Sequence, residues 1–171
     1  MTTNETELIL SLLDNQYSAV RNTVADLSED QVRSMPSASS LSLASLFNHL
    51  LYGHTSAADR IAGTQTRDRD PVAEWEAGWL VDETDSAADR LARLDAAVDR
   101  FATVLRAEPD LDRVVDLPPE VTRWLTTTSP LTVRFLALHQ LEEWARHAGH
   151  ADLIRESVDG ATADTLSGAT W

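Results

Sequence analysis

Between residues 5 and 27, Leu8, Leu12, Leu13, Tyr17, Val20, Val24 and Leu27 recur at helical spacing with no proline or glycine among them. That pattern predicts a first amphipathic helix. Ser28-Glu29-Asp30 opens a short turn that runs to Pro36, and Ser39, Ser40 and Ser42 offer N-caps for a second helix over 41–62. Leu43, Leu46, Leu50, Ala57 and Ile61 share one face of it. Residues 63–85 are polar, broken by Pro71, and carry Trp75 and Trp79 four apart. This spacing fits one helical turn docked on the bundle, either as a packed connection or as a lid. Leu91, Leu94, Val98, Phe101, Val104 and Leu105 predict a third helix over 86–105. An irregular stretch over 109–129 holds Pro118-Pro119 and the run Thr126 to Ser129. Ser129 can cap a fourth helix over 130–157 with Pro130 at its first position, and Gly160 closes it. With no strand alternation and no internal repeat, the expectation is an all-α four-helix bundle over residues 1–160. Residues 161–171 read as a tail, ending in a Trp171 that is exposed or docked on a partner.

The fourth helix departs from simple amphipathicity. His139, Glu143, His147 and His150 follow one another at steps of four, four and three. At about 100° per residue they fall within about 40° of one line. Leu136 and Ile154 extend that line by a turn at either end, which turns the stripe toward the core. Carboxylates and imidazoles are costly to bury unless something pairs with them. Residues i and i+4 stand about 5–6 Å apart at Cβ, so Glu143 and His147 can chelate one divalent ion. Trp144 lies about 100° off the stripe, where packing is its role.

A third ligand has to come from a neighbouring helix. The chain has five histidines, and the two outside the fourth helix, His49 and His54, are both on the second. They flank its apolar face on opposite sides, and periodicity does not choose between them. The competing arrangement is a buried Glu–His–His hydrogen-bond network without metal.

Composition narrows the chemistry. There is no cysteine among the 171 residues, which excludes disulfides, thiolate metal sites and a cysteine nucleophile. Any metal is then held by nitrogen and oxygen. A formal charge of −14 argues against nucleic acid as a partner. The apolar fraction of 43% suits a packed core, and no run is long enough for a membrane span. The polar, acidic start Met1-Thr2-Thr3-Asn4-Glu5 resembles neither a signal nor a transit peptide, so a cytoplasmic location is expected.

Two segments together carry a family resemblance. The first runs from Ser42 through Phe47-Asn48-His49 to Leu50. The second joins Glu142-Glu143-Trp144-Ala145-Arg146-His147-Ala148-Gly149-His150 to Asp152, Arg155 and Asp159-Gly160. This combination resembles the DinB-like superfamily, and within it the branch similar to mycothiol-dependent maleylpyruvate isomerases and thiol S-transferases. The resemblance implies a bundle holding a divalent ion, zinc or nickel, through one histidine of the second helix and an i, i+4 pair of the last. By position these are His49, Glu143 and His147. It makes His139 and His150 candidates for orienting the ligands, with His139 also a possible fourth ligand. Asp152 and Arg155 match its pattern and read as an i, i+3 ion pair. A homodimer is compatible with it.

Three protein ligands leave coordination positions open, as in catalytic rather than structural sites. The leading expectation is therefore an isomerase or transferase in which mycothiol or a similar low-molecular-weight thiol attacks a small electrophile. A chain without cysteine has to import that nucleophile. The alternatives are a metal-dependent hydrolase with His150 as general base, and a non-catalytic metal-binding module.

Overall fold

The computed structural model describes residues 4–65, 70–117, 122 and 130–168. Four long helices form the bundle: α1 (Glu5–Asn22), α3 (Leu43–Ala62), α5 (Ala87–Ala107) and α6 (Val133–Asp159). Three short ones join or follow them: α2 (Glu29–Arg33), α4 (Pro71–Ala77) and α7 (Ala163–Ser167). Among the described residues there is no strand, only an isolated bridge between Val114 and Thr132. The α3 helix packs on α5 and on α6, while α1 packs chiefly on α6. Their shared core includes Val20, Leu43, Leu46, Leu94, Phe101, Leu105, Val133 and Trp144, each almost wholly buried. No described helix is long and apolar enough to cross a membrane.

Helix boundaries follow local capping. Ser42 caps α3 and Ser86 caps α5, each in a reciprocal box with the residue three later. Gly63 and Gly160 end α3 and α6 in the left-handed region, at φ 69° and 82°. The expected turn after residue 28 contains α2, because Ser28 and Gln31 close another such box; it is too short to show a period. The expected start of the last helix at Pro130 is corrected to Val133. Val115 N donates to Leu131 O at 2.8 Å and Val133 N to Arg113 O at 3.0 Å. These bonds keep the chain extended up to Thr132, which becomes the N-cap. Ser129, the expected cap, and Pro118-Pro119 lie outside the described residues, as does Trp171. The expected tail is helical over α7, with Thr162 as cap, and it rests on α1.

The first helix ends at Asn22, not at residue 27, and the cause lies on α6. Arg155 is buried and donates through Nη1 to the carbonyls of Thr23 at 3.0 Å and Ala25 at 2.7 Å. Its Nε and Nη2 meet Asp159 Oδ1 and Oδ2 at 3.0 and 2.8 Å. The i, i+3 pair expected with Asp152 is thereby corrected to an i, i+4 pair with Asp159. Asp152 is instead half-buried, with its carboxyl pushed above the usual range first by that burial and then by Glu156.

Candidate metal centre

The α6 helix brings Glu143 and His147 onto one face a turn apart, and α3 supplies His49 opposite them. Ligand atoms of the three residues all lie within 4.8 Å of one another. His49 Nε2 and His147 Nε2 each stand 3.5 Å from the same oxygen, Oε2 of Glu143. A nitrogen–oxygen hydrogen bond would measure about 2.7–3.2 Å. Two ligand atoms on a tetrahedral ion, each about 2.1 Å from it, would stand about 3.4 Å apart. The observed spacing therefore suits a shared cation better than the hydrogen-bond network considered as the competing arrangement. A donor set of two imidazole nitrogens and one carboxylate oxygen suits zinc and its divalent neighbours. The rings of His147 and then His49 hold the Glu143 carboxyl far below the usual carboxylate range. It is the anion such a site needs.

Supporting contacts fix the clustered side chains from behind. His150 Nδ1 lies 3.3 Å from His147 Nδ1, so His147 Nδ1–H can donate to it and leave the His147 Nε2 lone pair facing Glu143. Burial first, then His147 and Arg146, depress the His150 imidazole. His139 sits at the rim, Nε2 3.9 Å from Glu143 Oε1 and Nδ1 3.4 Å from Glu142 Oε2. It stands beside the carboxylate, and the triad closes without it.

Trp79 covers His49. The two rings stack with centroids 3.8 Å apart and 14° between planes, and the indole also meets the His147 ring edge-on at 5.9 Å. His49 Nδ1 and Trp79 Nε1 are both buried without a hydrogen-bond partner among the described residues. Stacking rather than a hydrogen bond thus fixes this ring. Sequence alone marked Trp79 only through its spacing from Trp75. Just after α4, Asn48 Nδ2 donates to Leu80 O at 2.5 Å. Gly78 comes so close to α3 that a Cβ there would stand 3.0 Å from Tyr52 Cβ. These contacts seat Trp79 over His49.

His54 is the histidine the cluster leaves out. It is buried against Phe101, with ring centroids 4.3 Å apart. Trp144 Nε1 donates to its Nδ1 at 3.2 Å, and the Gln140 side chain meets the same nitrogen at 3.0 Å. Trp144 is thus a packing residue with one polar anchor. Burial pushes the His54 imidazole down to about 4. Its folded pKa lies below the unfolded value, so between about pH 6.5 and 4 only the unfolded chain takes up the proton. Stability is present above that window and falls across it by about 3 kcal/mol on this group's account. Chemical denaturation checks this: the parent's advantage over His54→Gln should shrink by about 3 kcal/mol between pH 7 and pH 4. An advantage independent of pH would contradict a neutral buried His54.

A cavity of about 250 Å³ opens beside the cluster, lined in part by His49, Glu143, His139, Trp75 and Arg60. It adjoins a larger groove of about 750 Å³, with Tyr52, Ser56, Arg60 and Pro71 lining both. Two of the three clustered residues, His49 and Glu143, line this accessible cavity, so a cluster that bound an ion could still admit a further group from it.

Comparison with known proteins is consistent with this geometry. A solved structure of a conserved protein from Enterococcus faecalis superposes with a TM-score of 0.71, covering 94% of this chain and 100% of its own. At 18% identity it shows the fold alone. No curated protein matches. The family model described as mycothiol-S-transferase matches residues 8–160, a span that holds all three clustered side chains. The chain belongs to the mycothiol-S-transferase family, a DinB-like family.

Proposed function

We propose that the protein transfers mycothiol, or a closely similar low-molecular-weight thiol, onto a small electrophile, using a divalent ion, preferably zinc, held by His49, Glu143 and His147. The observation that carries this reading is the pair of 3.5 Å spacings to one Glu143 oxygen at the wall of an accessible cavity. A divalent ion bound there supplies Lewis acidity, which lowers the pKa of a thiol that approaches it.

The chain's own residues do the rest. Glu143 neutralises part of the ion's charge, and His147 and His49 complete its protein ligands. His150 accepts through its Nδ1 the hydrogen bond that His147 Nδ1–H donates, which holds His147 in the tautomer whose Nε2 is free for the ion and leaves the His150 hydrogen on Nε2. Trp79 holds His49 and shields that side of the cluster from water, which strengthens electrostatic interactions within it. The nucleophilic sulfur comes from outside, since the chain has no cysteine.

The test is turnover. Metal-loaded protein with mycothiol and a panel of thiol-reactive electrophiles should form the thioether conjugate faster than the uncatalysed reaction, and removing either metal or thiol should abolish the gain. Ester cleavage without thiol would favour a hydrolase. Full metal with no turnover on any electrophile would favour a binding module.

A further inference from the structure

His49, Gly53, Ser56 and Arg60 follow one another on α3 at steps of four, three and four, so they share a face. Arg60 is about 16 Å of axial rise beyond His49. Its Nε donates to Ser56 Oγ at 3.3 Å, one turn closer to the cluster, so the side chain runs back along the helix. Both Arg60 and His49 line the 250 Å³ cavity.

Arg60 is half-buried, and among the described residues no carboxylate forms an ion pair with it. Its neighbour Asp59 is taken by Arg100 at 2.5 Å. Burial works against the guanidinium's charge, while Tyr52, Glu74 and Asp59 favour it. The hydroxyl of Tyr52 has no hydrogen-bond partner among the described residues. Burial raises its phenol, which therefore stays a donor at neutral pH. The terminal nitrogens of Arg60 and the Tyr52 hydroxyl, without acceptors among the described residues, thus border a cavity whose other titratable lining groups are His49, His139 and Glu143. The larger groove, which Arg60 and Arg93 also line, favours an anion less, since Asp59, Glu74, Asp82, Asp85 and Asp116 line it too.

We propose that the cavity selects electrophiles bearing a carboxylate, which Arg60 receives together with the Tyr52 hydroxyl, while the carbon to be attacked faces the His49–Glu143–His147 end. An Arg–carboxylate pair is charge-assisted and directional, and a half-buried setting strengthens it. The selectivity rests on the thiol-transfer reading above; the carboxylate pocket itself does not.

Iodoacetate and iodoacetamide provide a matched acid and amide. With mycothiol, either one forms a sulfur–carbon bond as the carbon–iodine bond breaks, iodide leaves, and the thiol proton passes to buffer. The chain has no cysteine to react in competition. Each catalysed rate is divided by its uncatalysed rate. The metal-loaded parent should enhance the acid more than the amide, Arg60→Gln should reduce that preference by about tenfold, and Arg60→Lys should recover part of it. Equal enhancement of acid and amide in the parent, or a preference untouched by Arg60→Gln, would overturn the proposal. Enhancement of neither would count against the thiol-transfer reading, and binding then decides the pocket. Succinate, followed by tryptophan fluorescence, should bind the parent about tenfold more tightly than a folded Arg60→Gln. Equal binding would place the anion elsewhere, including on the ion, and would likewise overturn the proposal.

Discussion

Glu143→Ala and His147→Ala should each cost the protein at least about a hundredfold in metal affinity, because disturbing a residue that merely supports a ligand already costs about 10–100-fold. Thiol transfer should fall in step. The loss follows from the geometry: Glu143 Oε2 is the atom that both imidazoles face at 3.5 Å, so its removal leaves two imidazoles and no anion. Removing His147 leaves one nitrogen and one oxygen, too few for a tight site. His49→Ala belongs with them. His150→Ala should keep close to stoichiometric metal with affinity reduced by about tenfold, since it touches only the back of His147. His54→Gln should bind metal like the parent, because His54 faces Trp144 and Gln140 instead of the cluster. Equilibrium dialysis with zinc across the five variants checks the set. Undiminished binding by Glu143→Ala or His147→Ala would remove the basis for the site.

Arg155→Ala should destabilise the bundle by about 2–4 kcal/mol, chiefly the cost of leaving two backbone carbonyls without the buried guanidinium that partners them. Four short contacts converge on this guanidinium. Two go to Asp159, and two go to carbonyls of Thr23 and Ala25 that α1 does not bond internally. Removing it leaves those carbonyls unpartnered and the turn after α1 without its tie to α6. Arg155→Met keeps most of the aliphatic stem and so separates packing from hydrogen bonding. Urea denaturation should show Arg155→Met nearly as destabilised as Arg155→Ala. A loss below about 1 kcal/mol for both would mean the contacts are solvent-screened surface pairs.

The four long helices were legible because each buries a stripe of Leu, Val, Ile, Ala or Phe with a period the chain displays openly. The α2 helix was not, since it has five residues and one buried apolar side chain, Val32. The true ends of α1 and α6 were hidden for another reason. They depend on Arg155 reaching across to the Thr23 and Ala25 carbonyls and on the Val114–Thr132 bridge, contacts between residues far apart in sequence. In the site, the steps from His139 to His150 revealed the α6 half directly. Periodicity left His49 and His54 equivalent on α3, and the resemblance favoured His49. The structure shows the physical difference: His54 is satisfied by Trp144 and Gln140, whereas His49 turns its Nε2 to Glu143. The spacing also sets Ser56 and Arg60 on the His49 face, but their meaning depends on Arg60 having no ion-pair partner among the described residues, which spacing does not encode.

Elemental analysis of protein purified without a histidine tag tests the central claim most directly. Close to one equivalent of zinc or another divalent ion per chain, surviving gel filtration, is the expected result. Metal at only trace levels, in protein that is folded and takes up no added zinc, would contradict it.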